Sequence, residues 1–172
     1  MLCGTSAGFA GIEVKNIREW IYPNREEVKE LLLKCCAVDA VPILIARRIH
    51  YSAFMLLHSC GVIMHQTYNQ RLPDSAHALA ERAKHKDLLG YHDIRLGNQP
   101  DARLLKFIHQ NLPKVLDKAR VKFNQFKDLL QPFATKRMDY NEFAARVRRR
   151  VKGTNENSDE EDQDSDSNPS QD

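Results

Sequence analysis

Glu13 and Lys15 are the residues of this chain whose types and spacing could do chemistry together. They alternate with Ile12 and Val14 in Gly11-Ile12-Glu13-Val14-Lys15-Asn16, the period of two of a half-buried strand. Two residues along a strand span about 6.6 Å, so a carboxylate and an ammonium stand side by side above one sheet face. A hard divalent cation takes oxygen ligands, and a neighbouring lysine steadies an attacking hydroxide or the charge developing on phosphorus. That is the chemistry of metal-assisted attack on a phosphodiester. The expectation is an open face carrying Glu13 and Lys15, with Ile12 and Val14 buried behind it. A second Glu-x-Lys, Glu27-Val28-Lys29, falls on an expected solvated helix face.

The elements that must position this pair follow in order. Small residues dominate Met1–Ala10, which frays or forms an incomplete hairpin arm before the Glu13 strand. Asn24 with Glu27 makes a capping pair for a helix over 25–37, whose buried stripe is Val28, Leu31, Leu32 and Cys35. Val41-Pro42-Ile43-Leu44-Ile45-Ala46 reads as a strand covered on both faces, with Pro42 tolerable only near its start. Tyr51–Cys60 is a second apolar helix, Gly61 ends it, and 62–68 reads as another strand. Strand, helix, strand, helix, strand implies parallel neighbours joined by right-handed crossovers.

After Pro73 the pattern turns helical: a helix over 76–89, a connection over 90–100 with a Gly97-Asn98 turn, and a helix capped by Asp101. A longer helix opened by Pro113 carries the stripe Val115, Leu116, Ala119, Phe123, Phe126, Leu130, and a last one is capped by Asp139 with Glu142. The organisation is therefore an α/β core over 9–72, a helical region over 73–152 and a disordered acidic tail over 153–172.

Charge narrows the partners. The chain has 26 Lys and Arg against 23 Asp and Glu, but eight of the acids and none of the bases lie from Thr154 onward. The remaining 26 bases face 15 acids, so the body carries about +11. Such a body favours an anionic partner, nucleic acid first. The four cysteines form no Cys-x-x-Cys pair and read as small buried hydrophobes in a reducing compartment. With no run near the roughly 18 apolar residues of a membrane span, the chain reads as intracellular and cytoplasmic, with no membrane partner.

Residues 11–70 resemble the second half of the PD-(D/E)xK nuclease superfamily, the fold of restriction endonucleases and archaeal Holliday-junction resolvases. The resemblance rests on the open-faced strand Ile12-Glu13-Val14-Lys15-Asn16, a crossover helix, the strand ending in Ala46-Arg47-Arg48, then a helix and Gly61-Val62-Ile63. It implies a partial restriction-endonuclease-like mixed sheet, with Glu13 and Lys15 catalytic and Mg²⁺ held by Glu13 and the backbone carbonyl of Val14. It also asks for an Asp on the preceding strand, and none of the first twelve residues is acidic. Glu26, Glu27 and Glu30 on the crossover helix are the substitutes available, and a chain that begins inside the domain is the simpler reading.

Two functions are therefore expected in parallel: an Mg²⁺-dependent nuclease acting on DNA, and an inactive nucleic-acid- or protein-binding module that kept the basic surface. Arg47 and Arg48, at a strand end, are candidates for phosphate contact. Arg146, Arg148, Arg149 and Arg150 on the last helix face nucleic acid or the acidic tail, and a protein partner or a second copy of the chain remains open. His50, His58 and His65 have no compact metal spacing, and no Ser/His/Asp arrangement, phosphate loop or zinc-finger pattern occurs.

Overall fold

The computed structural model describes residues 1–5 and 8–153. The acidic tail expected from Thr154 onward lies outside the described residues. The chain is mixed α/β, built on a four-stranded sheet. Strands β1 (Leu2–Thr5) and β2 (Gly8–Lys15) are antiparallel, with Leu2 opposite Gly11, so the small-residue arm is a hairpin. Strands β3 (Ala40–Ala46) and β4 (Ile63–Gln66) then add in parallel, in the order β1-β2-β3-β4.

Helix α1 (Glu26–Val38) joins β2 to β3, and α2 (Tyr51–Ser59) joins β3 to β4. Every residue of β3 is buried, as its continuous apolar run requires. Its alternate side chains feed two cores. Ala40, Leu44 and Ala46 pack with α1, α2 and later helices; Val41, Ile43 and Ile45 pack on the opposite face. The expected α1 stripe is buried, with Cys36 added. Its cap is not the one expected. Arg25, not Asn24, occupies the N-cap and gives no side-chain bond, while Arg25 instead pairs with Glu19 and Glu27.

Strand β5 (Gln70–Leu72) pairs in parallel with β6 (Ile94–Leu96) in a second small sheet, carrying helix α3 (His77–Lys84) behind a short 3₁₀ turn at Asp74–Ala76. The connection expected over 90–100 therefore contains a strand. From Ala102 the chain is helical to Ala134: α4 (Ala102–Lys106), a π-turn segment over Phe107–Asn111, and α5 (Leu112–Ala134). Asp101 caps α4 by accepting from the Arg103 amide at 2.8 Å, as expected.

Helix α5 serves both cores. Its first half places Leu116 and Ala119 on the Ile43 face, and its second half places Phe123, Phe126, Leu130 and Phe133 on the Leu44 face. Between them, Arg120 donates to the carbonyl oxygens of Asp39 at 2.6 Å and Phe9 at 2.8 Å, so α5 crosses the amino-terminal edge of the strands. Gly61 permits the approach. Its φ is +83°, and a Cβ there would lie 2.4 Å from the Ala119 oxygen and the Phe123 nitrogen. Helix α6 (Tyr140–Lys152) is capped by Asp139, which accepts from the Glu142 amide at 2.9 Å, and buries Phe143 and Val147 in the same core. The main core thus draws on residues from both sides of the boundary expected at 72/73.

Candidate nucleic-acid interface

Glu13 and Lys15 share a face of β2, as their spacing requires, but that face is not the open one. Glu13 stands opposite Leu44 in register and therefore on the α1 side of the sheet. Its carboxylate is taken by Lys15 at 2.9 Å, both side chains being less than a third exposed. Val14 corrects the expected pattern. It is 60 % exposed, and Ile12 is only half-buried, because the opposite face of β2 is covered along its first half alone. Glu13 raises the pKa of Lys15 by accepting its hydrogen bond, and Glu27 and Glu30 add to the shift from α1. Lys15 is therefore held as a cation, its charge answered by Glu13.

Of the ligands expected for Mg²⁺, Glu13 and the Val14 carbonyl, only Glu13 supplies a side-chain oxygen. Among the described residues no group of three or more His, Cys, Asp or Glu stands close enough to hold a metal ion. The Glu13 carboxylate is engaged by Lys15, and Mg²⁺ demands near-octahedral oxygen ligation.

The two arginines that leave β3 have opposite fates. Arg47 is buried, its guanidinium ion-paired to Asp93 and its Nη1 3.5 Å from the Arg18 carbonyl. Arg18 binds the other oxygen of Asp93 at 2.6 Å, donates to Gln70 at 2.8 Å and lies over the Tyr91 ring. Asp93 thus clamps the small sheet to the large one through two guanidiniums, and Arg47 is out of reach of a phosphate. Arg48 is half-buried and faces outward, over the Trp20 ring at 5.5 Å.

Trp20 belongs to a segment that reads as a plain connection in the sequence. Ile21 forms a parallel bridge with Ile49: the Ile21 amide donates to the Arg48 carbonyl at 3.0 Å, and the His50 amide to the Ile21 carbonyl at 2.9 Å. Both isoleucines go into the core, so Trp20, Tyr22, Arg48 and His50 are left on the outside. Tyr22 stacks on His50 with ring centres 4.5 Å apart, and Trp20 meets the same ring edge-on at 6.2 Å. The alternation aromatic-aliphatic-aromatic in Trp20-Ile21-Tyr22 was the available signal.

These rings line one end of a long groove at the carboxyl ends of β3 and β4. Its first basin has a volume of about 850 Å³, with Trp20, Tyr22, Tyr51, Phe54, Tyr68 and Arg103 on its walls. A second basin of about 410 Å³ follows β4, the strand at the sheet's free edge, with Lys118 and Lys122 of α5 facing Phe54 and His58 of α2. Phe54, Met64 and His65 border both basins, so the two adjoin. Among the described residues no acidic one lines either basin. Burial pushes the His58 and His65 imidazoles below the usual range, with Lys122 reinforcing the shift at His58 and Asp101 opposing it at His65. The His65 ring stacks on Phe107 at 4.4 Å and its buried Nε2 has no hydrogen-bond partner.

The arginines of α6 are more engaged than their clustering suggests. Arg146 pairs with Glu142 at 2.8 Å. Arg150 grips both carboxylate oxygens of Asp128, at 2.7 and 2.8 Å, and the Gln125 carbonyl at 2.6 Å, tying α6 to α5. That contact holds Asp128 below the usual carboxylate range. Arg148 is exposed and Arg149 half-buried. Cys35, Cys36 and Cys60 are buried free thiols, with Cys35 and Cys60 pushed up to about 12 by burial.

Compared with known proteins, the chain matches no family model, no curated protein and no solved structure. No helix among the described residues is long and apolar enough to cross a membrane.

Proposed function

We propose that this protein binds nucleic acid and does not itself cut it, the binding-module reading of a PD-(D/E)xK-like scaffold. One observation carries the proposal: the row of cations along the helical arm. Arg103, Lys106, Lys114 and Lys118 are exposed on α4 and α5, Lys122 continues them, and none has an ion-pair partner among the described residues. Lys114, Lys118 and Lys122 recur every four residues and so share one helix face, beside the buried stripe of Leu116, Ala119 and Phe123. Lysines left open on a helix face can neutralise backbone phosphates and release their counterions. Phosphate contacts of this kind read no sequence.

The test is DNA binding by fluorescence anisotropy across a salt series. The logarithm of affinity should fall linearly with that of salt, and Lys118→Ala with Lys122→Ala should lower the slope by about two. Absence of binding at low salt would sink the proposal.

A second reading, an Mg²⁺-dependent DNA nuclease, is favoured by the Glu13–Lys15 pair at 2.9 Å with Glu27 and Glu30 nearby on α1. It is separated from the first by incubating plasmid and branched DNA with Mg²⁺ or Mn²⁺. Robust cutting abolished by both Glu13→Ala and Lys15→Ala would establish it. No cutting by any of the three proteins is the result expected.

A further inference from the structure

We infer that the groove between α2 and the α4–α5 arm holds the unpaired bases of a single-stranded nucleic acid, stacking them on its rings while the lysine wall holds the phosphates; this rests on the nucleic-acid reading above. The two walls differ in kind. One presents Trp20, Tyr22, Tyr51, Phe54 and Tyr68, with Tyr51 73 % and Tyr68 57 % exposed. The α4–α5 side contributes Arg103 to the first basin and Lys118 and Lys122 to the adjoining second one, which Phe54 also borders. Large rings left in water cost burial free energy that a folded chain ordinarily recovers, and five bordering one groove form an apolar surface awaiting a partner. A single strand can present apolar base faces on one side and its charged backbone on the other, the complement of rings beside cations.

Duplex DNA does not fit this description. Its bases are stacked on one another and its outward surface is phosphate, so the rings would meet charge and the lysines alone would bind. A single strand can splay its bases onto the rings. The basins, at about 850 and 410 Å³, fall in the range of sites that enclose small organic ligands. The His65 ring borders both basins, stacked on Phe107 at 4.4 Å, and adds an aromatic surface where they adjoin. Tyr68 adds a further sign. Its backbone takes the left-handed conformation, φ +65°, which a tyrosine rarely adopts, and in doing so it borders the groove.

Trp20 is the chain's single tryptophan, so its emission reports directly on the groove. The experiment uses the full chain with a 12-nucleotide single strand, the duplex of the same sequence, a mononucleotide and an acidic peptide of equal charge. Single strand should quench Trp20 and bind at least about tenfold more tightly than duplex at matched salt. Tyr51→Ala and Phe54→Ala should each weaken single-strand binding by about tenfold and leave duplex binding within about twofold, with the circular dichroism spectrum unchanged. Binding of the single strand with unquenched Trp20, equal affinity for duplex or acidic peptide, or alanine variants that bind as the parent does would overturn the stacking inference while leaving nucleic-acid binding intact. A mononucleotide as tight as the 12-mer would make the groove a nucleotide site and overturn the strand. No binding of either DNA at low salt would remove the underlying reading itself.

Discussion

Two neighbouring regions of the four-stranded mixed sheet and its helices use their charges in opposite ways. Around Glu13, Lys15, Arg47, Arg18 and Asp93 each charge is answered by a protein partner. Arg48 instead rests on the Trp20 indole beside the groove, and along the groove itself Arg103, Lys118 and Lys122 have no ion-pair partner among the described residues. The difference teaches how to rank candidate residues. A charge closed on its neighbour stabilises a fold, whereas a charge left open beside exposed rings is available to a ligand. Arg47 and Arg48 make the point within one dipeptide, since the alternation of the strand sends one inward and the other out.

The largest effect should come from opening the closed side. Asp93→Ala strands the Arg47 guanidinium, whose side chain is fully buried, with no counter-charge. Removing one partner of a buried pair costs about 3–5 kcal/mol. The urea midpoint should fall accordingly with its slope unchanged. A loss under about 1 kcal/mol would mean that water reaches Arg47 and that the clamp is a surface pair.

Next in size is the effect on affinity. Lys118→Ala with Lys122→Ala should weaken DNA binding at low salt by about ten- to a hundredfold, as expected when two phosphate contacts are lost. Glu13→Gln should change it by less than about twofold, because that carboxylate is spent on Lys15 and faces α1. Equal effects at both regions would erase the distinction drawn between them.

Much of the scaffold was legible in the chain, and its limits are physical. The β3 run, the α1 stripe and the Asp101 and Asp139 caps depend on local periodicity and local hydrogen bonds, which a sequence displays. Val14 departs from its expected burial because alternation says which residues share a face and not what covers that face. Strands β5 and β6 have three residues each, too short for a period to show. The groove assembles Trp20, Tyr51, Tyr68, Arg103 and Lys118 from distant segments. Nothing local marks that convergence, and the one local hint, the aromatic alternation around Ile21, gains meaning only through the bridge to Ile49.

A smaller effect should follow pH. His58 and His65 have pKa values lowered mainly by burial, with Lys122 adding at His58 and Asp101 opposing at His65. In the unfolded chain they titrate near the ordinary value of about 6.5, so the unfolded state takes up protons first as pH falls. Stability is therefore lost as pH drops through that value and below. Phosphate in the groove favours the imidazolium, so DNA affinity should move the other way. It should rise about three- to tenfold from pH 7.5 to 5.5, the effect of one imidazolium gaining about 0.7–1.4 kcal/mol beside a phosphate. His58→Gln should flatten the rise. An affinity independent of pH in both proteins would show that no phosphate comes near these rings.

The smallest effect bears on the strain at Tyr68. A left-handed conformation costs an L-residue about 1–2 kcal/mol, and glycine escapes that cost while losing about 0.5–1 kcal/mol to the freedom of the unfolded chain. The Tyr68 ring is more than half exposed, so little burial is forfeited with it. Tyr68→Gly should therefore leave stability unchanged or raise it by up to about 1 kcal/mol, a shift readable in thermal and urea melts. Single-strand affinity should nevertheless fall, because a ring is gone from the groove wall. That opposition, a fold no weaker and a ligand held less firmly, is what a residue kept for binding produces. A variant that loses stability and affinity together would instead make Tyr68 part of the packing, and the groove would then begin at Tyr51.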